Sequence, residues 1–128
     1  MNKYTKMIPV VAVFLAFSAN AEVLLKDSSE IVGKWKLHDE AIKLNGEKRP
    51  VTVEWNVKPD GTIDTITSDS KGRISEMKIT IKYTIENGGI TKQVAPGREK
   101  YESCQVIDKT DTEMTLHCSY YYFLTRVK

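Results

Sequence analysis

The sequence offers little metal-binding or nucleophilic chemistry. Its 128 residues include only two cysteines and two histidines, and the only cysteine or histidine close to either His38 or His117 is Cys118. These residues do not have the spacing of a zinc site. No Gly-x-Ser-x-Gly, phosphate-cradling loop or cysteine–histidine arrangement occurs. We therefore expect no metal, no cofactor and no enzymatic activity.

Long apolar runs are also missing, except at the start. Residues 2–6 are polar and basic, residues 7–17 are apolar, and residues 19–21 have the small-x-small pattern of a cleavage point. This layout is typical of a secretory signal, and its apolar core is shorter than the roughly 20 residues that a membrane-spanning helix needs. We predict a signal peptide at 1–21, cleavage after Ala21, and a single domain at 22–128. The predicted location is periplasmic or secreted, with no membrane span left after cleavage.

The predicted domain carries no net charge. The whole chain has 19 basic and 17 acidic residues, and the proposed signal removes Lys3 and Lys6 but no acidic residue, which leaves 17 of each sign. Nucleic-acid binding would require a basic excess on the folded domain. The composition therefore gives no support for a nucleic-acid partner.

No helical period follows the apolar start, apart from one short helical turn predicted near 27–30. Instead, apolar and polar residues alternate with the period of two that is typical of half-buried strands, most clearly over 51–57 and 79–85. Turn sequences such as Pro59-Asp60-Gly61 and Asn87-Gly88-Gly89 separate about eight such strands. A meander of this kind closes into a barrel or a sandwich, because closure protects the strand edges.

The two cysteines flank the predicted turn over 108–112. Antiparallel pairing centred on Asp111 places Cys104 opposite Cys118. A disulfide between them suits an exported protein. It would close a 15-residue loop and thereby stabilise the folded protein by about 3 kcal/mol. Two buried thiols are the alternative interpretation.

Four stretches of the chain resemble the lipocalin-like group of small secreted bacterial β-barrels. They are Ile31-Val32-Gly33-Lys34-Trp35, Val57-Lys58-Pro59-Asp60-Gly61-Thr62, Asp111-Thr112-Glu113-Met114-Thr115-Leu116, and Arg126 in the closing strand. The resemblance implies an all-β fold with a single antiparallel up-and-down barrel of about eight strands. It also implies that Trp35 packs under Arg126 as a structural plug at one end. A guanidinium over an indole face gains about 0.5–2 kcal/mol.

Aromatic residues with inward parity are the candidates for a ligand site. We predict that Trp55, Tyr83, Tyr120 and Tyr122 surround a small apolar ligand inside the barrel. The competing interpretation is that they only fill the core, since an eight-stranded barrel is barely wide enough for its own side chains.

The outward parity of Tyr121 and Phe123 supports a second hypothesis. In it the barrel is a filled scaffold whose outer aromatic surface binds an envelope protein, as an inhibitor or immunity protein against an envelope-acting enzyme would. A barrel hydrolase or isomerase has no supporting residue pattern.

Overall fold

The protein is a closed antiparallel barrel of eight strands, in agreement with the predicted fold class. The structure is a computed structural model that describes residues 23–68 and 76–128, so the predicted signal at 1–21 lies outside the described residues. The strands run in chain order as β1 Gly33–Ala41, β2 Arg49–Val57, β3 Thr62–Thr67, β4 Met77–Glu86, β5 Gly89–Gln93, β6 Tyr101–Lys109, β7 Glu113–His117 and β8 Tyr121–Arg126.

Each strand pairs with the next along the chain, and β8 returns to pair with β1. The closure is visible at Trp35, which stands opposite Trp55 of β2 on one side and Arg126 of β8 on the other. Hydrogen bonds therefore continue around the whole barrel, and the closure removes the exposed strand edges that an open sheet would present.

One face of each strand supplies the core. Trp35, Val57, Ile63, Leu116 and Leu124 are almost completely buried, and each occupies the inward parity of its strand. The alternation of exposed and buried residues along the strands therefore reflects a single apolar interior.

Two β-bulges break this alternation. The register of β1 shifts between Leu37 and Asp39, and that of β6 shifts between Val106 and Asp108. A bulge places one extra residue in its strand and changes which side chains face inward beyond it. In β1 the shift places Glu40 opposite Tyr122, at the end of the barrel away from Trp35.

The N-terminal segment covers one end of the barrel, which we call the closed end. Val23 donates a backbone hydrogen bond to Val106, and Leu25 donates one to Gly88. A short 3-10 helix follows at Ser28–Glu30, capped by the side chain of Asp27, and it confirms the predicted helical turn. Ile31, which follows this turn, is fully buried.

The contact between Trp35 and Arg126 that the resemblance implies is present at the closed end. The Arg126 guanidinium lies 4.2 Å from the centre of the Trp35 ring. Trp35 itself is fully buried, and its ring N–H donates to the carbonyl oxygen of Ile31 at 2.8 Å. The arginine therefore covers the indole and joins the last strand to the first.

The opposite end, which we call the open end, carries the β1–β2, β5–β6 and β7–β8 connections, together with the end of β3 and the start of β4. The predicted disulfide between Cys104 and Cys118 is confirmed, and it ties β6 to the start of the β7–β8 connection. Within the described ranges, no helix is long and apolar enough to cross a membrane.

Candidate ligand-binding site

A cup of about 330 Å³ lies inside the barrel at the open end. Its wall is mostly apolar, and it is formed where strands β1 to β5 and β8 reach the open end. The lining residues are Leu37, Glu40, Val51, Val53, Trp55, Thr65, Thr67, Ile79, Ile81, Lys92, Gln93, Val94, Ala95, Pro96 and Tyr122. An apolar wall with a few polar groups is typical of small-molecule sites, whose volumes are usually about 300–1,000 Å³.

Tyr122 places a phenol on the wall of the cup. Among the hydrogen bonds of the described residues, none involves its hydroxyl group. Burial, followed by the nearby carboxylates of Glu102 and Glu40, raises the pKa of Tyr122 to about 12. The group therefore stays protonated at neutral pH, and its hydroxyl is available to donate a hydrogen bond to a ligand.

Lys92 is the buried cation of the cup. Its Nζ atom lies 2.7 Å from Oε2 of Glu102 and 5.8 Å from the centre of the Trp55 ring. The second oxygen of Glu102 accepts a hydrogen bond from the Ser119 hydroxyl at 2.9 Å. Burial opposes ionisation of Glu102, but the bonds from Lys92 and Ser119 outweigh it and lower the pKa of this carboxyl group. The result is an ionised pair whose charges balance.

A second ion pair stands at the edge of the cup. The register places Glu40 opposite Arg49, and the Arg49 Nε atom donates to Oε2 of Glu40 at 3.0 Å. The side chain of Glu40 is only 16% exposed, whereas that of Arg49 is 71% exposed. Both carboxylates close to Tyr122 therefore have a cationic partner, and neither leaves an uncompensated charge in the cup.

The four predicted ligand residues do not meet in one place. Trp55 and Tyr122 both line the cup. Tyr83 is buried closer to the closed end, and its hydroxyl donates to the Lys58 carbonyl oxygen at 2.7 Å. The predicted inward position of Tyr120 is wrong, because its side chain is 41% exposed and lies in the β7–β8 connection.

Tyr120 instead lines a separate groove of about 560 Å³ beside the β1–β2 connection, together with Ile42, Lys48 and Pro50. This connection is exposed over residues 42–48, so the groove is an open surface feature. Glu40 lines both the groove and the cup. The groove therefore adjoins the mouth of the cup and is not a second interior site.

The outward aromatic residues form a half-buried strip on the barrel wall. Tyr121 stacks on His117 with ring centroids 4.0 Å apart and planes 5° from parallel. The Lys48 ammonium lies 4.3 Å from the centre of the Phe123 ring. These contacts hold Tyr121 and Phe123 in fixed positions outside the barrel.

The sequence did not predict the charged residues of the site, among which Lys92 and Glu102 form the buried pair. Glu102 lies two residues before Cys104 and Lys92 lies two residues after Ile90, so each shares a strand face with a buried residue. This alternation was the sequence signal that could have placed both charges inside the barrel. Two opposite charges on adjacent strands can both face inward when they pair. The spacing along the chain does not reveal that pairing.

No cluster of three or more histidine, cysteine, aspartate or glutamate side chains with metal-site geometry occurs in the part of the chain that the structure describes. The charged groups of the cup belong to two ion pairs, and its other polar side chains are those of Tyr122, Thr65, Thr67 and Gln93. What this arrangement can do chemically is enclose a small molecule and offer it a hydrogen-bond donor.

Two solved structures share this architecture. A lipocalin-like protein from Bacteroides uniformis matches with a TM-score of 0.63 and 16% identity, over 77% of this chain and 99% of that one. An uncharacterized protein from Bacteroides eggerthii matches with a TM-score of 0.62 and 14% identity, over 75% and 98% of the two chains. No protein-family model and no curated protein matches the sequence of this chain. The fold is therefore lipocalin-like, a likeness that identifies the architecture and not a ligand.

Proposed function

We propose that this protein is a non-enzymatic binding protein that holds a small, mainly apolar molecule in the cup. The observation that carries the proposal is the 330 Å³ space with an apolar wall and one tyrosine hydroxyl that has no hydrogen-bond partner among the described residues. Burying apolar surface contributes about 25 cal/mol per Å² to binding, before the costs of association are subtracted. The Tyr122 hydroxyl favours a ligand that carries a hydrogen-bond acceptor such as a carbonyl oxygen.

The volume limits the size of the ligand. At about 330 Å³ the cup lies near the lower end of the range for small-molecule sites. We therefore expect a compact molecule with one polar end and not a long acyl chain lying fully inside the barrel.

Titration with prodan, a small apolar fluorescent ketone, tests the proposal. We expect saturable binding with a blue-shifted emission, because the cup excludes water from the dye. Val53→Phe places a ring in the cup, and we expect it to weaken binding about 5- to 150-fold, since a ligand that shares the space with this ring would lose about 1–3 kcal/mol to overpacking. The matched control is Thr52→Phe, which adds the same ring on the exposed face of the same strand.

The two neighbouring tyrosines provide a second matched pair. Tyr122→Phe removes the hydroxyl in the cup, and we expect prodan affinity to fall several-fold because a hydrogen bond contributes about 1 kcal/mol. Tyr120→Phe removes a hydroxyl outside the cup, so it should leave the affinity unchanged. Absence of saturable binding, or equal effects of Val53→Phe and Thr52→Phe, would contradict the proposal.

The outward strip supports a second candidate function, binding of an envelope protein by the barrel wall. The observation in its favour is that His117 and Lys48 hold Tyr121 and Phe123 in place, so little side-chain entropy would be lost on association. Affinity capture with the purified protein should then depend on this strip. A Tyr121→Ala, Phe123→Ala double variant that captures the same partners as the wild type would contradict it.

The proposal also includes export to the periplasm or the exterior. It rests on the signal-like residues 1–21 and on the disulfide between Cys104 and Cys118, which would persist in an oxidising compartment. The N-terminal sequence of the protein isolated from its own cell tests this point. A mature chain that begins at Glu22 is the expected result, and an intact Met1 would refute cleavage.

A further inference from the structure

Lys92 is a buried amine that opens onto the cup. Only 10% of its side chain is exposed, and it is held between the Glu102 carboxylate and the face of Trp55. A lysine amine is nucleophilic in its neutral form, and lysines in apolar pockets form imines with carbonyl compounds. The paired carboxylate lies within direct proton-transfer distance at 2.7 Å.

We propose that Lys92 is a covalent site for small apolar aldehydes, with Glu102 as its proton acceptor and counter-ion. The inference rests on the proposed function, because the aldehyde must first enter the cup. It specifies the chemical class of the ligand, which is an apolar group that ends in a –CHO function.

The reaction balances without any further reagent. The Lys92 ammonium passes a proton to Glu102, and the nitrogen lone pair then forms a bond to the aldehyde carbon. The oxygen of the adduct takes one proton from the nitrogen and one from Glu102 and leaves as water while the C=N bond forms, so Glu102 is again ionised. An ammonium and an aldehyde thereby give a protonated imine and one water molecule, with the positive charge conserved.

The environment favours this product at Lys92 over the other lysines. A protonated imine on an exposed lysine is surrounded by water and hydrolyses readily. At Lys92 the cation would keep its partner Glu102, which Ser119 holds in place, and the apolar wall would surround the organic group. The bond to Glu102 is present before and after the reaction, so it does not itself favour the product. The preference comes from the proton acceptor beside the amine and from the apolar wall, which takes the organic group out of water, and we expect an enrichment of about tenfold or more.

Benzaldehyde and sodium cyanoborohydride provide the test. The reductant converts each imine to a stable benzylamine, and peptide mass spectrometry locates the adducts. We expect Lys92 to carry at least about tenfold more adduct than the exposed Lys82, because the cup holds the aldehyde beside this amine. Prodan should protect Lys92 from the reaction and leave Lys82 labelling unchanged.

Variants separate the roles of the two partners. Glu102→Gln keeps the amine but removes the carboxylate, and we expect the Lys92 adduct to fall to the level of the exposed lysines. Lys82→Met is the matched control and should not alter labelling at Lys92. Prodan titration and a urea midpoint verify that each variant is folded.

The outcomes distinguish this inference from the proposed function. If prodan binds and is displaced by benzaldehyde, but Lys92 shows no enrichment, the covalent site is refuted and the binding function stands. If prodan does not bind, the binding function fails. Enrichment at Lys92 that bound prodan leaves undiminished would refute the cup as the route to this amine.

Discussion

Replacing Arg126 tests how the closed end is held together. Its guanidinium lies 4.2 Å from the centre of the Trp35 ring. It also donates hydrogen bonds to the carbonyl oxygens of Asp111 at 2.8 Å, Val32 at 3.0 Å and Glu30 at 3.2 Å. One side chain therefore joins the last strand to the N-terminal segment and to the β6–β7 hairpin.

Arg126→Met keeps an unbranched apolar stem and removes the charge and the donors. The cation–π contact contributes about 0.5–2 kcal/mol, and each hydrogen bond has a net value of about 1 kcal/mol. Since the bond to Asp111 is exposed, we count it at less than the others. The expected loss is about 3 kcal/mol of the free energy of unfolding, a large part of the roughly 5–15 kcal/mol that small proteins have. Arg126→Lys keeps a cation over the indole but loses the planar fork, and we expect a loss of about 2 kcal/mol.

Urea unfolding at neutral pH measures both variants, with Lys128→Met as a control at the exposed chain end. Amide hydrogen exchange over 23–32 gives a local readout, because the N-terminal segment should lose protection in Arg126→Met before the strands do. A loss below about 0.5 kcal/mol for Arg126→Met, the range of ordinary surface substitutions, would refute the reasoning. It would show that strand pairing and Trp35 burial hold the closed end without the arginine.

Three further predictions concern the rest of the barrel. Replacing Cys104 and Cys118 by serine should cost about 3 kcal/mol in urea unfolding, because the bridge closes a loop of 15 residues; an unchanged midpoint would show that the unfolded chain is compact without the bridge. Tyr83→Phe should cost about 1 kcal/mol through the lost bond to the Lys58 carbonyl, and prodan affinity should not change; a weaker affinity would place this residue at the ligand after all. Hydrogen bonds from Lys58 and a threonine hydroxyl lower the pKa of Asp64. The ionised carboxylate therefore stabilises the folded protein fully above the ordinary aspartate pKa of about 4, and this stabilisation is lost as the pH falls through the lowered pKa. Unfolding free energy measured against pH should therefore fall less steeply in acid for Asp64→Asn than for the wild type, and identical slopes would contradict this.

The strand pattern was predictable because its causes are local. Along β2, each second residue from Val51 to Val57 faces the interior, and a period of two reports this orientation directly. Turn sequences such as Asn87-Gly88 need backbone conformations that few residues adopt, and both residues do have positive φ values. Chain order, alternation and turns together predicted a meander that closes into a barrel or a sandwich, and the lipocalin-like resemblance favoured the barrel that the structure has.

The site was only partly predictable, since its polar groups are set by contacts between strands. Trp55 and Tyr122 both reach the cup, as their predicted inward parity requires. Counting alternate residues gives the wrong orientation for Tyr120, because the backbone turns at this point. The turn is marked by the hydrogen bond that the Cys118 N–H donates to the Tyr120 carbonyl oxygen. Lys92 faces the interior because Glu102 of the neighbouring strand compensates its charge, and this register is a property of the folded barrel.

The distribution of side-chain volume explains why an eight-stranded barrel of this size has a cup at all. Near the closed end the interior holds Trp35 and Met114, which are almost completely buried and fill the section. Towards the open end the inward positions of β2 and β3 are Val53, Thr65 and Thr67, whose smaller side chains leave space between the walls. The prediction that large side chains fill the barrel thus describes the closed half. The space in the open half follows from β-branched residues of modest size, so a larger side chain at Val53 should narrow it and compete with a ligand for the same room.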